Sequence, residues 1–265
     1  MVFIKSGEVI NFKRPLTMNA KLQWKKIYAF EPIHSIIADK IAVRDFVEEK
    51  IGKEYLIPIL QIYDDVDDIN VEKLPKSFVM KSNNGSGTVK VVENKEDFNN
   101  MELIFLAKKW IKNDYYSWTK EPQYKKIQTK IFIEEFLQDE KGKVPYDYKF
   151  HCFSGTVKYI NVDVDRYSEH KRGFFDREWN YLNFNWGSSS LKPIAKIEKP
   201  EKLNKMIEIA EHLSNGFDYL RVDLYIIENK IYFGELTLHP TSGFKRFYPN
   251  EYNRVWGKLI NEPKG

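Results

Sequence analysis

The chain has 265 residues, 42% apolar and 30% charged, which is the composition of a globular protein rather than a disordered one. One cysteine excludes a disulfide framework and any zinc site built on several cysteines. Forty-two Lys and Arg against 38 Asp and Glu leave a net charge of +4, too small a bias to indicate a nucleic-acid partner. No run approaches the roughly 18 apolar residues of a membrane span, and Met1 to Glu8 lacks a signal-peptide apolar region. These features predict a soluble, cytoplasmic protein of one large domain or two small lobes, without an integral membrane segment.

The first predicted element is a helix over 31–51, with Ile33, Ile36, Ile37, Ile41, Phe46 and Val47 roughly on one side and Gly52 as its stop. Asp39, Lys40 and Arg44 then lie on or near another face. The acidic stretch Asp64 to Asp68 lacks EF-hand spacing and reads as a solvated loop. Residues 77–82 and 88–92 are β-prone runs joined by Asn83-Asn84-Gly85-Ser86-Gly87, the pattern of a hairpin with a glycine-bearing loop. A helix over 98–112 and a strand over 129–135 follow. Residues 147–153 and 157–164 form a second expected hairpin, turning at Ser154-Gly155. Residues 165–192 are aromatic and charged with little periodicity, which predicts a lid or binding loop. A helix over 200–216 has Pro200 in its first turn and Leu203, Met206, Ile207, Ala210 and Leu213 on one stripe. Residues 219–227 and 231–236 are a closing hairpin.

Two of these hairpins carry chemistry. Glycines in the first loop let backbone N–H groups converge on an anion, and Lys81 on the flanking strand offers a point charge to phosphate. No Lys-Ser/Thr follows the last glycine, so this is not a Walker A loop, and the same five residues also suit an ordinary turn. In the closing hairpin, Arg221, Asp223 and Tyr225 share one strand face, as do Phe233, Glu235 and Thr237. A three-residue turn, Glu228-Asn229-Lys230, would set Asp223 directly opposite Glu235 and Arg221 opposite Thr237. Opposed carboxylates repel, so a cation between them is a natural reason to keep both. A two-residue turn would place them on opposite faces. Asp147 and Lys149 share a face and suit a simple ion pair. Cys152 points with Phe150 to an apolar face as a packing residue, and His151 and His212 read as structural.

The order of these features resembles the ATP-grasp superfamily, and within it the TupA-like ATP-grasp family of teichuronopeptide and capsule biosynthesis. The resemblance spans roughly 15–245. It is carried by Asn19-Ala20-Lys21-Leu22-Gln23-Trp24, Ala38-Asp39-Lys40-Ile41-Ala42-Val43-Arg44, Tyr55-Leu56-Ile57-Pro58 and Phe78 to Gly87. Tyr146-Asp147-Tyr148-Lys149-Phe150, Arg221-Val222-Asp223-Leu224-Tyr225 and Gly234-Glu235-Leu236-Thr237 with Pro240 and Gly243 complete it. It implies an α+β, ATP-grasp fold of two lobes holding ATP between them: a pre-grasp region 1–75, a small lobe 76–135 and a large lobe 136–265. It also implies that Lys81 holds the α- and β-phosphates while Asn84, Gly85, Ser86 and Gly87 cover the phosphate chain. Within Glu134-Glu135-Phe136-Leu137, the backbone of Glu135 and Leu137 would read adenine, with Glu134 close to the nucleotide. Asp147 and Lys149 would face ATP from the next strand. Asp223, Glu235 and Thr237 would hold Mg2+, although relatives usually carry Asn where this chain has Thr237, a shorter arm. Arg221 would stabilise the transferred phosphoryl group.

The implied activity is ATP-dependent carboxylate–amine ligation through an acylphosphate, joining an amine to a uronic acid of a surface polysaccharide or its precursor. Within 165–190, Arg166, His170, Lys171 and Arg172 could pair with a uronate, while Phe174, Trp179 and Trp186 could stack on sugar. His239, directly after the metal strand, is a near-site group. Two rivals are a nucleotide-sugar glycosyltransferase using Asp163-Val164-Asp165 and a polyanion-binding protein using the Lys-rich segment Lys120–Lys130 with 15% aromatic residues.

Overall fold

The computed structural model describes residues 2–3, 7–140, 142, 144–164, 170–187 and 192–261. In chain order they form β1 (Val2–Phe3), β2 (Val9–Ile10), α1 (Met18–Tyr28), α2 (Pro32–Ala38), α3 (Val43–Ile51), β3 (Ile59–Tyr63), β4 (Phe78–Ser82) and β5 (Val89–Val92). Next come α4 (Asn100–Ile111), α5 (Tyr115–Thr119), β6 (Ile131–Glu134), β7 (Asp147–Phe153), β8 (Thr156–Val164), β9 (Lys171–Asp176), β10 (Tyr181–Leu182), β11 (Asn185–Gly187) and β12 (Lys192–Pro193). The last elements are α6 (Leu203–Ser214), β13 (Tyr219–Ile227), β14 (Lys230–Thr237), β15 (Arg246–Tyr248) and α7 (Glu251–Gly257). The mixture of helices with antiparallel sheets is an α+β fold.

Two compact units divide the chain, one of residues 1–30 and 145–265, the other of 31–144. The first 75 residues are divided between the two units at residue 30. In the first unit, α1 lies against α7, where a Cβ on Gly257 would come within 2.4 Å of the Leu16 carbonyl. Lys21 Nζ donates to the Ile260 carbonyl at 2.6 Å and Gln23 Nε2 to that of Ser242 at 2.7 Å. In the second unit, β3 joins the sheet β3-β6-β4-β5 through β6.

The main sheet of the first unit runs β10-β9-β8-β7-β13-β14, with β12 beside β9. The apolar stripe of α6 covers one face of it: Leu203, Met206, Ala210 and Leu213 are buried with Phe150, Cys152, Ile160, Val222 and Leu224. Helix α6 starts at Leu203, three residues after Pro200, whose carbonyl accepts the Leu203 N–H at 3.0 Å. On the face opposite α6 an aromatic cluster surrounds Trp256, stacked on Tyr159 at 4.5 Å.

Three sequence expectations change. The helix over 31–51 is two helices, broken at Asp39, whose carboxylate accepts the Ile41 and Ala42 N–H groups at 2.8 and 3.2 Å. Such a side chain offers the backbone an alternative to the helical ladder. The segment 165–192 holds strands where a loop was expected: β9 extends the sheet beside β8, and its adjacent Phe174 and Phe175 are both buried, which conceals the alternation. Finally, both hairpins of the main sheet close with two-residue turns, Ser154-Gly155 and Glu228-Asn229, all four residues at positive φ. The three-residue turn does not occur.

Candidate functional site

In the second unit the β4–β5 hairpin carries the glycine loop. Lys81 sits on β4 beside β6, and its ammonium is ion-paired with Glu134 on that strand. Gly85 and Gly87 have φ of +83° and +81°, a conformation L side chains rarely adopt. A Cβ on Gly85 would also meet the Tyr115 ring at 2.7 Å. After β6 the chain leaves the sheet: the Glu135 N–H donates to the Pro58 carbonyl at 3.0 Å, Phe136 is buried, and Leu137 is half-buried.

In the first unit the face of the sheet opposite α6 turns along the strands from that aromatic cluster to polar residues. Asp223 on β13 lies directly opposite Glu235 on β14, and Arg221 opposite Thr237. The two-residue turn alone would have paired Asp223 with residue 234. A β-bulge restores the phase: Leu224 pairs with Phe233, Asp223 pairs with Glu235, and Gly234 is the extra residue. A Cβ there would stand 2.9 Å from the Tyr225 ring and 3.1 Å from the Asp223 carbonyl, so the bulge requires glycine. It also moves Phe233 away from the face of Glu235 to the buried one, with Leu224.

A second bulge does the same between β7 and β8. Cys152 pairs with Val157 but His151 with Tyr159, leaving Lys158 as the extra residue. Without it, Asp147 and Lys149 would face Val162 and Ile160. With it, Asp147 faces Asp163 and Lys149 faces Asn161. The result is a charge ladder of alternating sign across five strands. Arg172 on β9 grips Asp163 through Nε at 2.5 Å and Nη2 at 2.9 Å. Asp163 accepts from Lys149 Nζ at 2.8 Å, and Lys149 also pairs with Asp147 on its own strand. Lys149 is the cross-strand neighbour of Asp223, which accepts from Arg221 at 2.6 and 2.7 Å; Arg221 reaches on to Glu235.

Burial sets the electrostatics. It pushes the Asp223 carboxyl up to about 7 against the pull of Arg221 and Lys149. Burial also works against the Arg221 charge, but Asp223 and Glu235 outweigh it and hold the guanidinium above its ordinary range. For Asp163, burial is again overcome, here by Lys149 and Arg172, which hold its carboxyl well below the usual carboxylate range.

This paired-carboxylate hairpin, a glycine loop with its lysine and a polar sheet face follow the order expected of one family, and residues 20–261 match the family model described as TupA-like ATPgrasp. The chain belongs to this ATP-grasp family. No curated protein matches it. Among solved structures, a D-alanine–D-alanine ligase from Bacillus anthracis complexed with ATP is 16% identical, with a TM-score of 0.48 over 85% of this chain and 62% of that one. A D-alanine–D-alanine ligase from Helicobacter pylori is 15% identical, with a TM-score of 0.45 over 92% and 66%. Phosphoribosylamine–glycine ligase from Thermotoga maritima is 14% identical, with a TM-score of 0.48 over 80% and 50%. The chain thus spans less than two thirds of the length of these proteins.

The TupA-like ATP-grasp chain presents an oxygen-only donor set at Asp223 and Glu235, with Thr237 Oγ1 donating to Glu235 Oε1 at 3.0 Å. Hard oxygen donors on directly opposed strands fit Mg2+, which is commonly held by one or two carboxylates with phosphate oxygens and water completing its shell. Among the described residues no group of three or more His, Cys, Asp or Glu could hold a metal without such help. No helix among them is long and apolar enough to cross a membrane.

Other expected residues are placed differently. Arg172 spends its fork on Asp163 and the Trp186 carbonyl, which it reaches at 3.1 Å, so it anchors β9 instead of facing outward. His170 Nε2 lies 3.0 Å from Asp163 Oδ1. Phe174 and Trp186 are core residues, packed on Phe184 and Phe247, because β9 and β11 are strands and not a lid. Trp179 stacks on Phe175, with its Nε1 donating to the Ile197 carbonyl. Arg166 and Asp165 lie outside the described residues. His239 is buried just beyond β14. Asp163, read in the sequence only as part of a glycosyltransferase element, is instead the centre of an ion-pair network; its role was hidden because the β7–β8 register depends on a bulge.

Proposed function

We propose that this chain is an ATP-dependent carboxylate–amine ligase. The observation that carries the reading is the bulge-set opposition of Asp223 and Glu235 with Arg221 between them, within a chain of the ATP-grasp family. Lys81 and the 84–87 loop suit the phosphate chain of ATP, and Leu137 with Glu135 suits the adenine edge. Asp223 and Glu235, supported by Thr237, would hold Mg2+, which supplies charge neutralisation on the phosphate oxygens when bound.

A carboxylate resists attack by an amine because its carbon is electron-rich. Its oxygen therefore takes the γ-phosphoryl group: an O–P bond forms, the bond to the ADP oxygen breaks, and ADP leaves. The amine lone pair then attacks the acyl carbon, phosphate departs with the C–O bond electrons, and the amine sheds a proton to leave a neutral amide. Phosphoryl transfer depends mainly on positioning and charge. Arg221, held as a cation by its carboxylate neighbours, suits the developing charge, and Lys149 adds a second positive group on the same face. Family association extends the reading to a uronic acid of a surface polysaccharide or its precursor as the acid, with an amino acid or other amine as the nucleophile. Cytoplasmic action follows from the supply of ATP.

The test is stability and turnover. Mg-ATP should raise the melting temperature of the wild type and do so less for Lys81→Ala, since a ligand of the native state stabilises by mass action. With ATP, a uronic acid such as glucuronate and hydroxylamine as the amine, ADP and a hydroxamate should form together. Stabilisation by a UDP-sugar alone, unaffected by the lysine change, would overturn the ligase reading in favour of a glycosyltransferase.

A further inference from the structure

The outward face of α4 is apolar at its centre and basic around it. Asn99 caps the helix by accepting the Met101 N–H at 2.9 Å, and Leu103 and Ala107 are buried in the core of the second unit with Phe78, Met80 and Val92. At about 100° per residue, Phe105 falls opposite the midpoint of Leu103 and Ala107, with Met101, Lys108, Lys109 and Lys112 around it. Met101 is 76% exposed and Phe105 is 68% exposed. Two large apolar side chains therefore stand in solvent on a helix that its cap and its core face already hold. Single apolar residues scattered over a surface need no explanation, but neighbours at i and i+4 on one face do.

The charge around them has one predominant sign. Lys109 and Lys112 have no carboxylate partner among the described residues, and Lys108 reaches Asp67 at 2.6 Å. Glu102, the acid of this face, lies 3.9 Å from Lys90. The chain beyond α4 continues the pattern. Asp114 is used as the cap of α5, accepting the Ser117 N–H at 3.1 Å, while Trp118 is 80% exposed and Lys120, Lys125 and Lys126 are exposed.

Of the partners that could cover such a face, a second copy of the chain would set Lys108, Lys109 and Lys112 against themselves. A nucleic acid would use the lysines and stack on aromatic rings, but it has no use for the aliphatic Met101. An anionic bilayer uses both kinds of side chain. Met101 and Phe105 would enter the acyl boundary, while the lysines lay their stems alongside and kept their ammonium groups at the headgroup phosphates.

We infer that the outward face of α4, with Trp118 as a further anchor, is a docking surface for an anionic membrane. The contact is peripheral, since no helix among the described residues is long and apolar enough to cross a bilayer. Such docking goes beyond the ligase reading and is independent of it, because it needs neither ATP nor a substrate.

The experiment is co-sedimentation of the full chain with vesicles, without nucleotide, for wild type, Phe105→Ser, Phe105→Trp and the pair Lys109→Gln with Lys112→Gln. One set of vesicles is phosphatidylcholine alone and the other is phosphatidylcholine and phosphatidylglycerol in equal parts. Wild type should bind the mixed vesicles, lose them as salt rises, and bind the neutral ones far less. Phe105→Ser should weaken binding by about tenfold or more, the scale of burying one phenylalanine side chain, and Phe105→Trp should keep it. The double glutamine variant should lose about 25-fold, roughly fivefold for each charge beside an anionic surface. These positions face solvent, so melting temperatures should stay at the wild-type value, and the glutamine pair tests the face if the serine variant does not fold. A wild type that leaves the mixed vesicles unbound, equal binding to both vesicle types, or binding unchanged by Phe105→Ser or by the glutamine pair would overturn the inference. Phe105-dependent retention on single-stranded DNA in place of vesicles would overturn it too, in favour of a nucleic-acid surface.

Discussion

Replacing Asp163 by Asn removes the centre of the ladder. Asp163 is 2% exposed and accepts from Lys149, Arg172 and His170. The variant leaves Lys149 with Asp147 and Arg172 with the Trp186 carbonyl, so a half-buried guanidinium loses its buried counter-ion. Breaking one side of a buried ion pair costs about 3–5 kcal/mol, or on the order of 10 °C in Tm for a chain of this size. Removing both partners, as Asp163→Leu with Arg172→Leu, should cost less than the sum of the singles, since no uncompensated charge remains. Asp163 also marks the acid limb. Its folded carboxyl is held below its unfolded value of 3.8, so its contribution is complete above that pH and is lost as pH falls toward the folded value. The slope there is about 1.4 kcal/mol per pH unit, and Asp163→Asn should flatten it. Urea melts from pH 2 to 7 on Asp163→Asn, the two leucine singles and the double variant measure all of this. A single-variant cost below about 1 kcal/mol, or strictly additive singles, would refute the coupled ladder.

Gly234→Val should destabilise by about 1–3 kcal/mol, because its side chain meets the Tyr225 ring and the immovable Asp223 carbonyl, and Mg-ATP should then stabilise it less than wild type in the same melts. An unchanged Mg-ATP shift would show that the bulge does not set the carboxylate pair. Burial, with Arg221 nearby, holds His151 well below 6.5, so the folded state keeps it neutral while the unfolded chain protonates. Stability should therefore be unaffected above pH 6.5 and fall by up to about 1.4 kcal/mol per unit below it until the folded value is reached; His151→Gln should remove that limb from a pH series of melts. Burial pushes the Cys152 thiol up to about 12, so a thiol reagent should modify native protein only as fast as it unfolds. Rapid labelling would contradict the packing of Cys152 beneath α6.

Much of the fold was legible because strand and helix periodicities are strong where one face is buried. The stripe of α6 and the alternation of Val222, Leu224 and Ile226 both announce a covered face. The helix break at Asp39 was not legible, since the side chain that takes the Ile41 and Ala42 N–H groups is itself held by Asn83, far along the chain. Nor was β9, whose adjacent phenylalanines fill two sides of the sheet. Asp223 and Glu235 were named for the right pairing through the wrong turn. The register came from a two-residue turn plus Gly234, and an extra residue leaves no periodic trace. The network of Lys149 was half visible: Asp147 shares its strand, whereas Asp163 and Arg172 depend on partners that only the bulged ladder supplies.

The two bulges give the main sheet a parity rule. Each hairpin carries an even-numbered tip and one odd residue between the tip and the polar grid, Lys158 in one and Gly234 in the other. Lengthening a tip by one residue on each arm leaves the parity intact and the grid in phase. One unmatched residue between tip and grid turns carboxylates toward the apolar layer beneath α6. Length variation in this sheet should therefore come in matched pairs at the tips, while the counts from bulge to grid stay fixed.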